Sequence, residues 1–262
     1  GAWVLGNGGI GVMEAHLGAS PMVVLIDATD GGAFSHLGPY QGGLGGYGSY
    51  DLSTAMKAIT KRTFVATDPT QAVQMTQLAI KHATTGEPGP VAVIFNSRSL
   101  RKRMDPPREP PTYFDRAFSP PLPPSAAEDA LSAATDKIRR AARPVIIAGN
   151  GVRLARGEAR LMTLASNCDI PVVTTPAGKG VFPEDHALAG GVIGAFGHTA
   201  ANRLLGAADL VLALGTKLGA TDTANLDSRL IDLRRQQMVQ VDIEPLNLGW
   251  TFPADVLLQG DV

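Results

Sequence analysis

The 262 residues carry 23 Lys and Arg against 24 Asp and Glu, a formal net charge of -1, with no long run of either sign. That balance excludes the electrostatic footprint of a nucleic-acid binder and a polybasic membrane patch, and leaves small molecules as the expected partners. With 44% hydrophobic residues, 30 glycines and 5% aromatics, the composition is that of an alanine- and valine-rich α/β protein. It is long enough for two domains, because a single core stops growing near ~250 residues.

The chain opens on AWVLGNGGIG, in which Gly6, Gly8 and Gly11 have G-x-G-x-x-G spacing, then passes through one short helical segment to MVVLI and Asp27. By itself this is a dinucleotide fingerprint: a strand, a tight glycine turn, a helix N-terminus for the diphosphate and an acid for a ribose hydroxyl. The helix between Gly11 and Ser20 is short for that role, and no acid–base set for hydride transfer follows. The apolar opening predicts a strand that begins at once, with no lead-in, as in a fragment. Neither the basic-then-apolar pattern of a signal peptide nor an apolar run of membrane-spanning length is read. The lone Cys168 has no internal disulfide partner and points to a reducing, cytoplasmic setting.

Residues 22–26 and 91–95 are apolar runs of strand length, and both read as buried strands. Between them Asp68, Pro69 and Gln71 supply an N-cap, a proline at the first helical position and a glutamine at the third, predicting a helix with Val73, Leu78, Ala79 and Ala83 on its apolar stripe. It ends before TTGEPGP. The span 30–50, DGGAFSHLGPYQGGLGGYGSY, is longer than compact domains usually leave without structure and holds three of the four tyrosines, which marks it as a candidate functional loop.

The five histidines, His16, His36, His82, His186 and His198, lack metal-ligand spacing, so no metal site is expected. His36 is the one placed for catalysis, as against simple solvation. Glu14 and Asp30 read either as general acids or bases, or as a helix-surface carboxylate and a turn residue.

Residues 105–124, DPPREPPTYFDRAFSPPLPP, concentrate eight prolines and read as an interdomain linker, leaving domains at 1–104 and 125–262. Ser125 and Glu128 form a capping box for a helix with Leu131, Ala134 and Ile138 on one face. PVIIAG, IPVVTT, ADLVLALG and MVQVDIE then alternate with helical stretches, predicting βαβ units and a doubly wound parallel sheet. Ligands sit beyond the carboxyl ends of such strands, where Gly149-Asn150-Gly151, TTPAGKG, GTKLG and Asp242 with Glu244 fall. GKG at 178–180 lacks the first glycine and the final Ser/Thr of a P-loop. GNG is either two thirds of a fingerprint or a tight turn; Asp242 is either a ribose acceptor or a satisfied loop carboxylate.

Taken jointly, these stretches resemble a family. GIGVMEAHLGASPMVVLID, AITKRTFVATDP and AIKHATTGEPGPVAVIF are similar to the pyrimidine-binding domain of thiamine-diphosphate enzymes of the acetolactate synthase and benzoylformate decarboxylase type. RPVIIAGNGV, IPVVTTPAGKGVFPEDH, ADLVLALGTKL and VDIEPLNLG resemble the central domain of the same enzymes, in the family's order and over nearly the whole chain. The resemblance implies two doubly wound α/β domains joined by a proline-rich linker, with thiamine diphosphate and Mg²⁺ as cofactors of the intact enzyme. Its substrate would be a 2-oxo acid or α-diketone, and the protein a homodimer or homotetramer whose active sites form between subunits.

Carried onto this sequence, the resemblance places Asn7 against the thiamine aminopyrimidine, at the end of a glycine-rich turn. The activating glutamate and the G-D-G diphosphate motif have no counterpart, so no catalytic residue is assigned and the chain alone is expected to be inactive. Where relatives carry substrate-contacting side chains before I-T-K, this chain has Tyr47, Gly48 and Ser49. Where flavin-containing relatives carry G-x-R-F-D-D-R, it has GTKLGAT. FAD, where the family holds it, would lie on Gly149, Asn150, Gly151, Thr175, Gly215, Thr216, Lys217, Asp242 and Ile243. The alternative to an enzyme is a non-catalytic FAD- or ADP-binding module at those same residues.

Overall fold

The computed structural model describes residues 3–28, 43, 51–104, 112 and 124–262. His36, Asp30, Tyr47, Gly48 and Ser49, and nearly all of the predicted linker, lie outside them. The chain divides into two compact units, Gly1–Pro121 and Leu122–Val262.

The first unit begins helically. One π-helical turn, Val4–Gly8, runs straight into α1, Gly9–Leu17. Trp3, Val4 and Leu5, of the strand predicted there, are therefore helical, and Gly6, Gly8 and Gly11 lie on a helix in place of a turn; none has a positive φ. Glycine permits a turn without requiring one, and Val12 and Ala15, spaced for a helix, bury one face against the sheet.

Strand β1 is Met22–Ala28, followed by α2 (Leu52–Ile59), β2 (Arg62–Ala66), α3 (Pro69–Thr84), β3 (Pro90–Asn96) and a short α4 (Ser97–Arg101). The sheet is parallel in the order β1-β3-β2, so β3 is central, which is why Val91 to Ile94 are all at 0% exposure. Strand β1 lies at an edge and is only half buried, with Leu25 at 60% exposure, contrary to the buried strand predicted there.

Helix α3 has the predicted start: Asp68 accepts from the Gln71 amide at 2.9 Å, and Gln71 Oε1 accepts from the Thr67 amide and hydroxyl. Its packed face is Ala72, Met75, Ala79 and Ala83, whereas Leu78 points outward at 38% exposure. Spacing counted from Leu78 is off the stripe by one residue, and alanines let the helix sit close to β2 and β3.

The two short motifs that flank this helix in sequence meet in space. Lys61, of I-T-K, donates its ammonium to the carbonyls of His82, Thr85 and Glu87 at 2.8, 2.6 and 2.8 Å, closing the C-terminus of α3 above the turn of GEPGP. Gly86 in that turn has φ of +65°, a conformation glycine adopts without steric cost.

The second unit contains α5 (Glu128–Arg140), β4 (Pro144–Ala148), α6 (Asn150–Leu154), α7 (Glu158–Cys168), β5 (Val172–Thr174), β6 (Ala189–Val192), α8 (Thr199–Gly206), β7 (Leu210–Leu214), β8 (Gln237–Asp242) and β9 (Val256–Gln259). Its six strands are parallel in the order β6-β5-β4-β7-β8-β9. Numbered within the unit this is 3-2-1-4-5-6, the doubly wound dinucleotide-fold order, with the topological switch between β4 and β7.

Each central strand is apolar throughout because alternate residues serve opposite faces. Ile146, Ala148, Leu210 and Leu212 join Ala134, Leu161 and Ala165 from α5 and α7; Val145, Ile147, Val211 and Ala213 join Ala201 and Leu205 from α8. Strands β2, β6 and β9 are not foreseen from sequence. Each is short, and β6, AGGV, contains two glycines that weaken any strand pattern.

The capping box at Ser125 does not form. Helix α5 starts later, with Ala127 at the cap position and no side-chain bond, and Leu131 is exposed; Ala126, Ala130, Ala134 and Ile138 make the packed face.

At the amino edge of this sheet Asp209 accepts from the amides of Ala142 and Arg143 at 2.8 and 2.9 Å, tying the approach to β4 onto β7. Burial pushes its carboxyl pKa up, but the Arg143 and Ala142 amides outweigh it and hold the group below the usual range. A depressed carboxyl stabilises the fold above its unfolded pKa of ~3.9, and that stability is lost as pH falls through the folded value. Asp209→Asn is accordingly expected to cost stability at neutral pH and to flatten the acid limb of the unfolding free energy below about pH 4, read by urea denaturation at several pH values. Lys61→Met, which removes three charge-assisted bonds at an exposed helix end, should lower unfolding free energy by about 1 kcal/mol in the same assay.

Candidate functional site

In the first unit Asn7 is solvent-exposed on the π-helical turn. Beside it, a Cβ built on Gly6 or Gly11 would meet no atom of the described residues within 4 Å outside its own helix backbone. Glycine here leaves an uncovered helical surface against which a flat ring could lie, with the Asn7 amide at its margin. Glu14 is exposed on α1 and Asp27 is half-buried on β1, and Val4–Gly8 is helical where the fingerprint has a strand running into its glycine turn. The arrangement is not a dinucleotide site.

In the second unit the parallel sheet carries the ends of β4, β5, β7 and β8 to one edge, bringing together most of the residues predicted for a nucleotide. Gly149, Gly151, Gly178 and Gly215 pack backbone to backbone there. A Cβ on Gly149 would come within 2.2 Å of the Gly215 carbonyl oxygen, one on Gly151 within 2.5 Å of Gly215 Cα, and one on Gly178 within 2.3 Å of the Ala148 oxygen.

The amides of these loops are paired with one another. Gly149 N donates to Leu214 O, Gly151 N to Gly215 O, Gly215 N to Val241 O and Thr175 N to Ala148 O, all between 2.9 and 3.1 Å. Thr175 and Thr216 are buried, and their hydroxyls accept from the Gly178 and Leu218 amides. Asn150 Oδ1 accepts from Arg153, whose guanidinium also donates to the carbonyls of Ala177 and Lys179.

Asp242 is buried, and its Oδ1 accepts from the Glu244 amide at 2.9 Å and from Asn247 Nδ2 at 3.3 Å. Both of these contacts lie within its own loop. Ile243 beside it is half-buried.

An open cleft lies one strand over from the switch point. This cleft, of about 340 Å³ between the segments following β7 and β8, is lined by Lys217, Gly219, Leu246, Asn247, Trp250 and Thr251. Trp250 and Leu246 are 79% and 75% exposed, an uncovered indole and isobutyl group at the cleft. Gln240, itself buried, donates to the carbonyls of Thr216 and Asn247 and accepts from the Gly249 amide. Thr251 Oγ1 donates to the Lys217 carbonyl at 2.7 Å. Of this lining, only Lys217 was legible as a site residue; an indole following a glycine directly behind the β8 turn is the signal that would have exposed the rest.

Asp222 was also missed. It is half-buried behind the same loop, where burial pushes its carboxyl up against bonds from the Gly219 backbone and the Thr216 side chain, leaving a net rise. Among the described residues no group of three His, Cys, Asp or Glu could hold a metal ion, and no helix is long and apolar enough to cross a membrane.

This unit thus has the fold and strand-end edge of a cofactor-binding α/β domain. Residues 131–262 match the family model for the thiamine pyrophosphate enzyme central domain, and the chain belongs to that family. It is 32% identical over 210 residues to a probable acetolactate synthase large subunit of Methanocaldococcus jannaschii, covering 78% of this chain and 34% of the relative. It is 30% identical over 253 residues to the acetolactate synthase large subunit of Parasynechococcus marenigrum, covering 96% of this chain and 39% of that protein. With the glyoxylate carboligase of Escherichia coli O157:H7 it shares 27% identity over 215 residues, 80% of this chain and 34% of the relative. The chain spans between a third and two fifths of the length of these relatives.

The two sets of glycines should respond oppositely to alanine. Gly149→Ala forces a Cβ into the Gly215 carbonyl and is expected to cost about 3 kcal/mol or more, whereas Gly11→Ala, in open helix, should gain roughly 0.5–1 kcal/mol. Chemical denaturation of the two variants against the parent chain checks both signs.

Proposed function

We propose that this chain forms the pyrimidine-side and central parts of a thiamine-diphosphate-dependent carboligase acting on 2-oxo acids. The observation that carries the reading is the 96% coverage in the alignment with an acetolactate synthase large subunit, which extends the likeness through both units in the same order. The proposed division is a pyrimidine-binding domain at 1–104, a linker at 105–124 and a central domain at 125–262. A non-catalytic nucleotide module is less well supported, because the relatives bear the names of synthases and a carboligase.

The residues of the first unit fit the pyrimidine side of the cofactor: an exposed amide at Asn7 with open backbone at Gly6 and Gly11 admits a planar heterocycle edge to the chain. Thiamine diphosphate, when bound, supplies a nucleophilic ring carbon and an electron sink for cleavage of the bond to the leaving carboxylate. Asn7 would orient the ring through its side-chain amide, and Gly6 and Gly11 would let it approach without a side chain intervening. The reaction overall is loss of CO₂ from one 2-oxo acid and addition of its acyl carbon to the carbonyl of a second, giving a 2-hydroxy-3-oxo acid. Mg²⁺ would accompany the diphosphate. The parent would work as a homodimer or homotetramer, as the resemblance implies, in the reducing cytoplasm to which the lone Cys168 points.

The test is an assay of the protein carrying this chain with pyruvate and with glyoxylate, following CO₂ release and 2-hydroxy-3-oxo acid formation. Turnover should require both thiamine diphosphate and Mg²⁺. Asn7→Ala should raise the thiamine diphosphate concentration for half-maximal rate by about tenfold, the equivalent of one lost hydrogen bond, without moving the thermal midpoint. Turnover indifferent to thiamine diphosphate, or its absence with every 2-oxo acid, would remove the reading.

A further inference from the structure

The central unit has the strand order of a dinucleotide-binding fold and glycines in its first strand-to-helix turn, and the resemblance implies flavin in some members. We infer that, in spite of this, its switch-point edge is a self-satisfied clasp and that the unit does not hold a flavin or nicotinamide dinucleotide.

Three independent observations support this. The first concerns the diphosphate, which in such folds is held by unpaired amides of the first glycine turn and by the dipole of the following helix. Here the amides of Gly149 and Gly151 donate to Leu214 O and Gly215 O at 2.9 Å, and that of Val152 donates to Gly149 O at 3.2 Å. The helix behind them, Asn150–Leu154, has five residues.

The second concerns the space itself. The second glycine of the fingerprint leaves out a side chain so that the ligand can approach the backbone. At Gly151 that space is taken by Gly215, whose Cα would lie 2.5 Å from an added Cβ, and at Gly149 by the Gly215 carbonyl and Thr216. Gly215 holds this position with φ of +58°, and a Cβ on it would in turn meet Gly151 Cα at 2.6 Å. These glycines serve each other's backbones.

The third concerns the ribose and the charge. The strand next to the first, β5, ends in Thr174 and Thr175, both buried, so no carboxylate stands where a ribose hydroxyl would be received. The acid at the edge, Asp242, is three strands away in sheet order and is engaged by Glu244 N and Asn247 Nδ2. Arg153, the guanidinium nearest the turn, bonds Asn150 Oδ1 and the carbonyls of Ala177 and Lys179. Lys217 lines the neighbouring cleft as a point charge, which cannot give the bidentate contact an arginine gives to a diphosphate.

The inference rests on the family reading only for the choice of flavin as a probe, and the experiment separates the two. Titrating the folded chain with FAD and with NAD⁺ should leave flavin fluorescence unquenched and the thermal midpoint unmoved, and purified protein should be colourless. Saturable one-to-one quenching of FAD, or a midpoint raised by either dinucleotide by several degrees, would overturn the inference. The carboligase assay, run on the protein that carries this chain with and without added FAD, tests the family reading separately: thiamine-dependent turnover indifferent to FAD supports both, whereas turnover that appears only with FAD overturns the clasp and leaves the family intact. A cooperative melt of the chain itself shows that an unmoved midpoint belongs to folded protein.

Discussion

Backbone contact among Gly149, Gly151, Gly178 and Gly215 is the constraint on which the second unit depends. Parallel strands are joined through long crossovers, so nothing local in sequence brings their carboxyl ends into register; the contact of the loops beyond those ends does. With no Cβ at these four positions, the chain leaving β4 can lie against that leaving β7, and the turn after β5 can close over β4. The amides thereby find carbonyls within the cluster, as buried backbone groups must. Any larger residue would separate the loops and leave those groups unpaired.

The same economy explains why the cofactor edge looks different from its motif. A turn whose donors are satisfied internally is stable without a ligand, whereas one built to receive a diphosphate leaves donors unpaired until it binds. In this chain the balance lies with internal satisfaction: threonine hydroxyls at 175 and 216 close their own turns, and Arg153 braces the TTPAGKG segment through its carbonyls. An open cleft lies instead at Trp250, where Gln240 bonds the carbonyls of Thr216 and Asn247. The first unit follows the opposite logic around Asn7, where a Cβ on Gly6 or Gly11 would meet no atom of the described residues outside its own helix backbone.

Ends of elements were legible where a side chain bonds its own backbone. Asp68, Pro69 and Gln71 mark the start of α3 because the cap is a local interaction, complete within four residues. The same signal at Ser125 misleads, since α5 begins where Ala126, Ala130 and Ala134 can pack, and packing over a whole helix outweighs one cap. Likewise Trp3, Val4 and Leu5 have the composition of a strand but pair with no strand among the described residues, so the helical spacing of Val12 and Ala15 prevails. The edge position of β1, and hence the exposure of Leu25, depends on the order β1-β3-β2 and not on any property of MVVLI.

From sequence alone came the α/β class, the alternation of buried strands with helices in the second half, and the family likeness carried by I-T-K, G-E-P-G-P and VDIEPLNLG. These follow from periodicity, burial and short-range chemistry, which are properties of neighbouring residues. Tertiary structure alone decided that Lys61 closes the helix ending at GEPGP, that Asp242 serves its own loop, and that the glycines of GNG meet Gly215 in place of open space. The Lys61 bonds and the glycine contacts join residues tens of positions apart, which only the folding of helices and strands against one another brings together. The glycine spacing is compatible with either a ligand or a second loop as its neighbour, and only the folded arrangement of β4 and β7 determines which of the two occupies that space.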